Sequence, residues 1–274
     1  MKNFKLILIS FGILSSSFNT NSQESPHLHT SPEWDECSFQ LDPSLTQQEW
    51  HQFTREAGLA AYYRPLMDAE PIGVGKVDFS ILQWQTTIDE NEGAWNNTFV
   101  HPDSTHWLVG GPRLPIPGLT LRTGITKKLD VGFYWTTNPQ ANYSITGVQV
   151  QYNFLNNIEK GWSAASRLSF TTIYGPRDLT FATFGLDFVG SKKFRLYKDW
   201  ISVTPYTNLS LILARAHERT TSIVLQDVNV FGFQGALGAV AQISIVRLAT
   251  EYNFAAKNTF SFRLGFVFNF KSKK

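Results

Sequence analysis

The chain contains a single cysteine, Cys37, so no disulfide can close within it. Its most apolar run, Leu6 to Leu14, is too short for a helix that spans a bilayer, and no later stretch is long enough either. Charge is nearly balanced: the formal net value is +2, and removal of Lys2 and Lys5 brings it to zero. That balance gives no electrostatic ground for a nucleic-acid partner. Walker loops, Rossmann glycine patterns, zinc-finger spacings and nucleophile elbows are all missing, so no cofactor is expected. Gly73-x-Gly75 leads into a strand pattern rather than a helix, which excludes a phosphate cradle. His27-x-His29 offers two ligands in a polar tail, and a metal site needs more, so no metal is expected.

What the sequence has in quantity is aromatic residues, 14% of the total, including 22 Phe and 8 Trp. They are ordered most clearly at the C-terminal end. Phe260, Phe262, Leu264, Phe266, Phe268 and Phe270 share one face of a period-two stretch, and Thr259, Ser261, Arg263, Gly265, Val267 and Asn269 share the other. A period of two is a β-strand. A wholly apolar face opposite one carrying an Arg suits a strand with lipid on one side and a polar lumen on the other. Low mean hydropathy, -0.17, is compatible with this because inward residues cancel outward ones.

Ten strands follow from such alternation, at about 75–88, 117–126, 128–138, 142–155, 162–174, 179–190, 200–214, 227–240, 242–254 and 258–270. Eight or twelve also fit, since alternation blurs in the first strand and in 227–254. In the fourth, the apolar phase slips at Gly147, which reads as a bulge. The expected fold is therefore all-β, an antiparallel up-and-down transmembrane β-barrel. Met1 to Ser22 reads as a signal peptide, with Lys2 and Lys5 ahead of the apolar run. No Leu-rich lipid-attachment pattern precedes Cys37, which argues against a lipoprotein. Residues 23–72 form a periplasmic N-terminal segment, 73–270 the barrel and 271–274 a basic tail.

One short helix is expected within the N-terminal segment. Ser44 or Thr46 can cap it, Gln47 or Glu49 can complete a capping box, and Trp50, Phe53 and Ala57 share a face. Gly58 marks its end. Covering the periplasmic mouth, plugging the lumen and lying in the interface are all open to it. Packing against the barrel rim is preferred.

The end of the chain resembles the C-terminal assembly signal of Gram-negative outer-membrane β-barrels. Arg263, Gly265, Phe268 and Phe270 stand where that signal has its polar residue, glycine and two aromatics, although the chain continues through Lys271 to Lys274. Residues 61–75, with Leu114 to Gly118 and Lys127 to Gly132, look like a family of uncharacterised bacterial outer-membrane barrels over most of 61–270. The likeness implies a cell outer-membrane location and the barrel-assembly machinery as a partner, without any chemistry. If the signal ends in the periplasm, the connections at 89–116, 138–141, 175–178, 215–226 and 255–258 are external. Trp135, Tyr143 and Tyr174 then belong to an external girdle, and Tyr152, Phe154, Trp162 and Trp200 to a periplasmic one.

The inward charges expected are Lys76, Asp78, Arg122, Asp130, Arg167, Asp187, Arg247, Glu251 and Arg263. Buried charges need partners, so they either close the lumen by pairing or line a narrow aqueous pore. Ten strands lie near the size that side chains alone can fill, which favours pairing. Function is then a narrow channel or a structural, surface-interacting barrel. The alternative is a hydrolase at the rim, in the manner of the omptin proteases. Asp89, Glu90, Glu92, His101, Asp103 and His106, with His217 and Glu218, would supply the carboxylate and imidazole that activate water. No omptin motif matches residue by residue, and solvated loop charges are the plainer reading, so no catalytic residue is assigned and the chain is not expected to be an enzyme. Membrane lipid and lipopolysaccharide are the natural partners, with Arg215, His217 and Arg219 as candidates for phosphate contact. Oligomeric state leaves no signal here.

Overall fold

The computed structural model describes residues 38–89, 91–100, 113–137, 142–196, 200–220 and 223–270. The expected signal sequence (residues 1–22), Cys37, Glu90, His101, Asp103, His106 and the basic tail lie outside the described residues. The ten strands are β1 (Lys76–Thr87), β2 (Arg113–Gly124), β3 (Leu129–Thr137), β4 (Ser144–Asn157), β5 (Trp162–Tyr174), β6 (Leu179–Lys192), β7 (Ile201–Glu218), β8 (Val228–Ile243), β9 (Val246–Phe254) and β10 (Thr259–Asn269). Each pairs antiparallel with its neighbours in sequence, and β10 closes on β1. No edge of the main ring is left free.

Alternation along each strand sets the two faces. Phe79, Ile81, Phe133, Trp135, Leu168, Phe184, Leu209, Phe231, Leu248 and Phe262 are exposed outward, while Asp78, Arg122, Asp130, Arg167, Asp187, Glu251 and Arg263 are buried within. Closure pairs the strands around the whole ring, which is what allows them to cross hydrocarbon. A closed ring with an apolar belt is a transmembrane barrel, and the protein is located in the cell outer membrane. Connections at one end are short, as at Ser244-Ile245, and those at the other include residues 88–112. Short turns face the periplasm and long loops the exterior, so β1 begins and β10 ends on the periplasmic side.

Three expectations about the strands need correction. Gly147 stays in regular register, opposite Tyr134 and Thr171, and the irregularity falls between Asn153 and Leu155. Ile145 points inward like Gly147, so the apparent slip arose from an apolar residue on the lumenal face. Tyr143 also leaves the external girdle: its ring packs edge-on against Phe39, 5.0 Å away. The turn expected between the strands at 227–240 and 242–254 lies at Ser244-Ile245, because β8 runs on to Ile243.

The helix α1 (Gln47–Ala61) is neither periplasmic nor on the rim. It lies inside the barrel, in its external half. Thr46 caps it and Glu49 completes the capping box, as the sequence suggests. Gly58 does not end it. A Cβ at Gly58 would stand 2.5 Å from the Cβ of Ala214 on β7, so the glycine is where helix and wall approach most closely. Trp50, Phe53, Ala57, Ala60 and Ala61 are buried against the wall. Beyond the helix, residues 62–72 descend the lumen to the periplasmic end. Gly73 and Gly75 (φ 89° and 77°) then reverse the chain into β1. The N-terminal segment thus enters at the external mouth and leaves at the periplasmic one.

Candidate functional site: an occupied lumen and its external mouth

At the mouth, residues 39–56 meet all five external connections. Phe39 exchanges hydrogen bonds with Asn142 (2.8 and 2.6 Å), and the Leu41 amide donates to Asp178 (3.1 Å). Gln47 and the Gln226 backbone are joined by a reciprocal pair, the shorter at 2.8 Å. Backbone amides of Gln40 and Asp42 donate to Thr98 and Asn97. Glu56 accepts from Trp95 Nε1 (2.7 Å) and pairs with Lys257 (3.2 Å). Beneath these contacts Phe53 touches Phe39, Trp50, Trp95 and Phe181, with ring centroids 5.3–6.3 Å apart. The void among Phe39, Trp95, Ile116 and Ile145 is about 10 Å³, room for one water at most.

Midway down, four strands converge on Tyr62 and Tyr63. Arg167 on β5 donates to Asp187 on β6 (2.7 Å), Gln149 on β4 (2.7 Å), the Tyr62 hydroxyl (2.6 Å) and the Tyr63 carbonyl (2.6 Å). Asp187 also accepts from Ser210 (2.5 Å) and from the Tyr62 hydroxyl. Arg64 turns back to the last helical carbonyls and donates to Thr259 (2.9 Å), and Trp84 Nε1 donates to the Ala60 carbonyl (2.9 Å). Carbonyls that a helix end leaves without partners are satisfied here by an arginine and a tryptophan.

The periplasmic half is ionic. Arg247 reaches Asp68 of the descending segment (2.6 Å) and lies 3.6 Å from Asp78. Arg263 pairs with Asp78 (2.5 Å) and donates to the Leu66 carbonyl (3.3 Å). Arg122 bonds Asp130, whose carboxylate also accepts from the Ile72 amide (3.1 Å). Lys193 pairs with Glu70 (2.8 Å), and Asn153 donates to the Ala69 carbonyl (2.7 Å).

Eight of the nine anticipated charges are inside. Lys76 is exposed at the periplasmic rim, because strand pairing has only begun there. Glu251 accepts from Tyr206 (2.9 Å) and Asn253 (2.9 Å). Sequence reasoning missed Tyr62, Tyr63, Arg64, Asp68 and Glu70, all within the stretch of residues 61–75. Its density of aromatic and charged residues between prolines was the available signal. Within the stretch that resembles an assembly signal, Gly265 lies inward against Ser80, where a Cβ would stand 2.5 Å from its hydroxyl.

The rim residues proposed for water activation are not gathered among the described residues. Glu92 accepts from Gln52 (2.6 Å), and Asp89 caps the Asn91 amide (3.1 Å). His217 and Arg215 both face Asp227, at 2.5 and 3.4 Å. The hydrogen bond from His217 is the first reason the Asp227 carboxyl lies below its ordinary range. Arg219 is committed to the Pro176 carbonyl (2.7 Å).

No family model matches the chain, and no curated protein matches it. Among solved structures it is similar to Ail, the attachment invasion locus protein of Yersinia pestis, at 13% identity over 71% of this chain and 99% of that one (TM-score 0.29). It is similar to the β domain of the Bordetella autotransporter BrkA at 12% identity, covering 72% and 100% (TM-score 0.40). Similarity to LpxR from Salmonella typhimurium is 9% over 70% and 99% (TM-score 0.36).

Proposed function

We propose that this protein is a sealed outer-membrane barrel whose role is structural and surface-interacting, without catalysis. Of the two roles a small barrel can play, conduction is the less favoured here. The observation that supports this reading is the continuous occupation of the lumen by residues 39–72. They are hydrogen-bonded or ion-paired to the wall from the external mouth to Asp130. The same segment is bonded to described residues of all five external connections, a tethering that suits a surface recognised by a partner outside the cell.

Planar-bilayer recording on refolded protein tests it: wild type should give no discrete conductance steps. Regular stepwise openings in most insertions would return the protein to the channel class. Cleavage of a peptide library by pure protein, lost when His101 or Asp103 is replaced, would instead favour the rim hydrolase.

A further inference from the structure

Between β2 and β3 the wall has a seam that opens toward the membrane. The β2–β3 ladder starts at Leu119 opposite Trp135, although β2 begins six residues earlier. Pro115 and Pro117 remain in register with β1 on the other side. A proline offers no N–H to a neighbouring strand. The Pro117 carbonyl is bonded by the Tyr134 hydroxyl (3.3 Å) in place of a strand partner. Tyr134 closes the seam from within: a Cβ on Gly118 would stand 2.2 Å from its ring.

On the membrane side the seam forms a groove of about 490 Å³, walled by Ile81, Leu119, Trp135 and Phe262. Gln83 lies in this apolar wall. Its side chain points outward with Phe79 and Ile81, yet it is only 3% exposed. Neither the side-chain amide of Gln83 nor that of Gln85, the next outward residue, has a hydrogen-bond partner among the described residues. An amide facing hydrocarbon without a partner is costly. The natural acceptor and donor at this place belong to a lipid. Above the groove, Arg113 points outward at the external end of β2, about 13 Å along the strand from Pro117. It is exposed and has no partner among the described residues.

From a cation at the interface, two free amides one step below it and an apolar groove beneath them, we infer a binding site for an external-leaflet lipid. The order matches a phosphorylated glycolipid whose acyl chains carry ester, amide or hydroxyl groups, which is lipopolysaccharide. Its phosphate meets Arg113, a polar group near the head of one chain meets Gln83, and that chain fills the groove. The inference concerns the outer face and does not depend on how the lumen is used.

The test is urea unfolding of the refolded full chain in phosphatidylcholine vesicles, with and without lipopolysaccharide. Lipopolysaccharide should raise the wild-type midpoint, since a ligand of the folded state stabilises it. Gln83→Leu should unfold no earlier than wild type in phosphatidylcholine alone, because the unpaired amide is gone, and should lose at least half of the lipopolysaccharide increment. Arg113→Ala should lose part of it, and Arg215→Ala, an external cation on another strand, none. An undiminished increment in Gln83→Leu would overturn the site. An equal increment from phosphatidylglycerol would overturn lipopolysaccharide as its occupant.

Discussion

The two halves of the lumen are filled by different chemistry. In the external half, α1 presents Trp50, Phe53 and Ala57 to Phe181, Ala214 and the rings of Phe39 and Trp95, and the packing resembles the core of a soluble domain. Complete burial of each large apolar side chain there contributes roughly 1.5–3 kcal/mol. In the periplasmic half, Asp68, Glu70, Asp78, Asp130, Arg122, Arg247 and Arg263 interlock. A buried ion pair contributes little net stability over an apolar pair, yet breaking one is expensive. The apolar half therefore supplies adhesion between segment and wall. The ionic half supplies register: each carboxylate accepts only one arrangement of the descending chain.

Substitutions can break or sharpen that comparison. The largest effect is expected for Arg167→Met, which leaves Asp187 buried and without its cation, at roughly 3–5 kcal/mol. Urea unfolding in lipid vesicles measures it, and adding Asp187→Asn should return part of the loss. Phe53→Ala comes next, at about 3 kcal/mol, because it removes the ring on which four others pack. Should Phe53→Ala cost less than 1 kcal/mol by the same measurement, the external half is not a packed core. Asp68→Asn keeps a hydrogen-bond acceptor for Arg247 and leaves Asp78 nearby, so about 1–3 kcal/mol is expected. Thr46→Ala, which deletes the helix cap at the exposed mouth, should cost about 1 kcal/mol.

Much of the fold was legible. All ten strands appear, with ends shifted chiefly in β2, β7, β8 and β9, and the capping box of Thr46 and Glu49 formed as its spacing implies. What misled was the assumption that inward means polar. Ile145, Tyr143 and Tyr134 face inward and are apolar because a helix lies behind them, so Gly147 looked like a bulge. Gly58 read as a helix terminator because glycine usually is one, and the neighbour that requires it, Ala214, is 156 positions away in sequence. The site was half legible for the same reason. Charges on strands announced themselves by parity. Tyr62 and Asp68 lie on a segment without periodicity, and only the closed wall gives them partners. Arg263 likewise pairs with Asp78 on β1, a neighbour created by barrel closure.

The central claim is that the N-terminal segment threads the lumen from outside to inside. Site-directed labelling on intact cells tests it most directly, with Cys37→Ser as background and a membrane-impermeant maleimide as probe. Ser44 is exposed beside the helix start, and Lys127 is exposed in the turn between β2 and β3. Ser44→Cys should label on intact cells, and Lys127→Cys only after the outer membrane is opened. Protection of Ser44→Cys on intact cells, together with its labelling from the periplasm, would contradict the threading and return the helix to the periplasmic side.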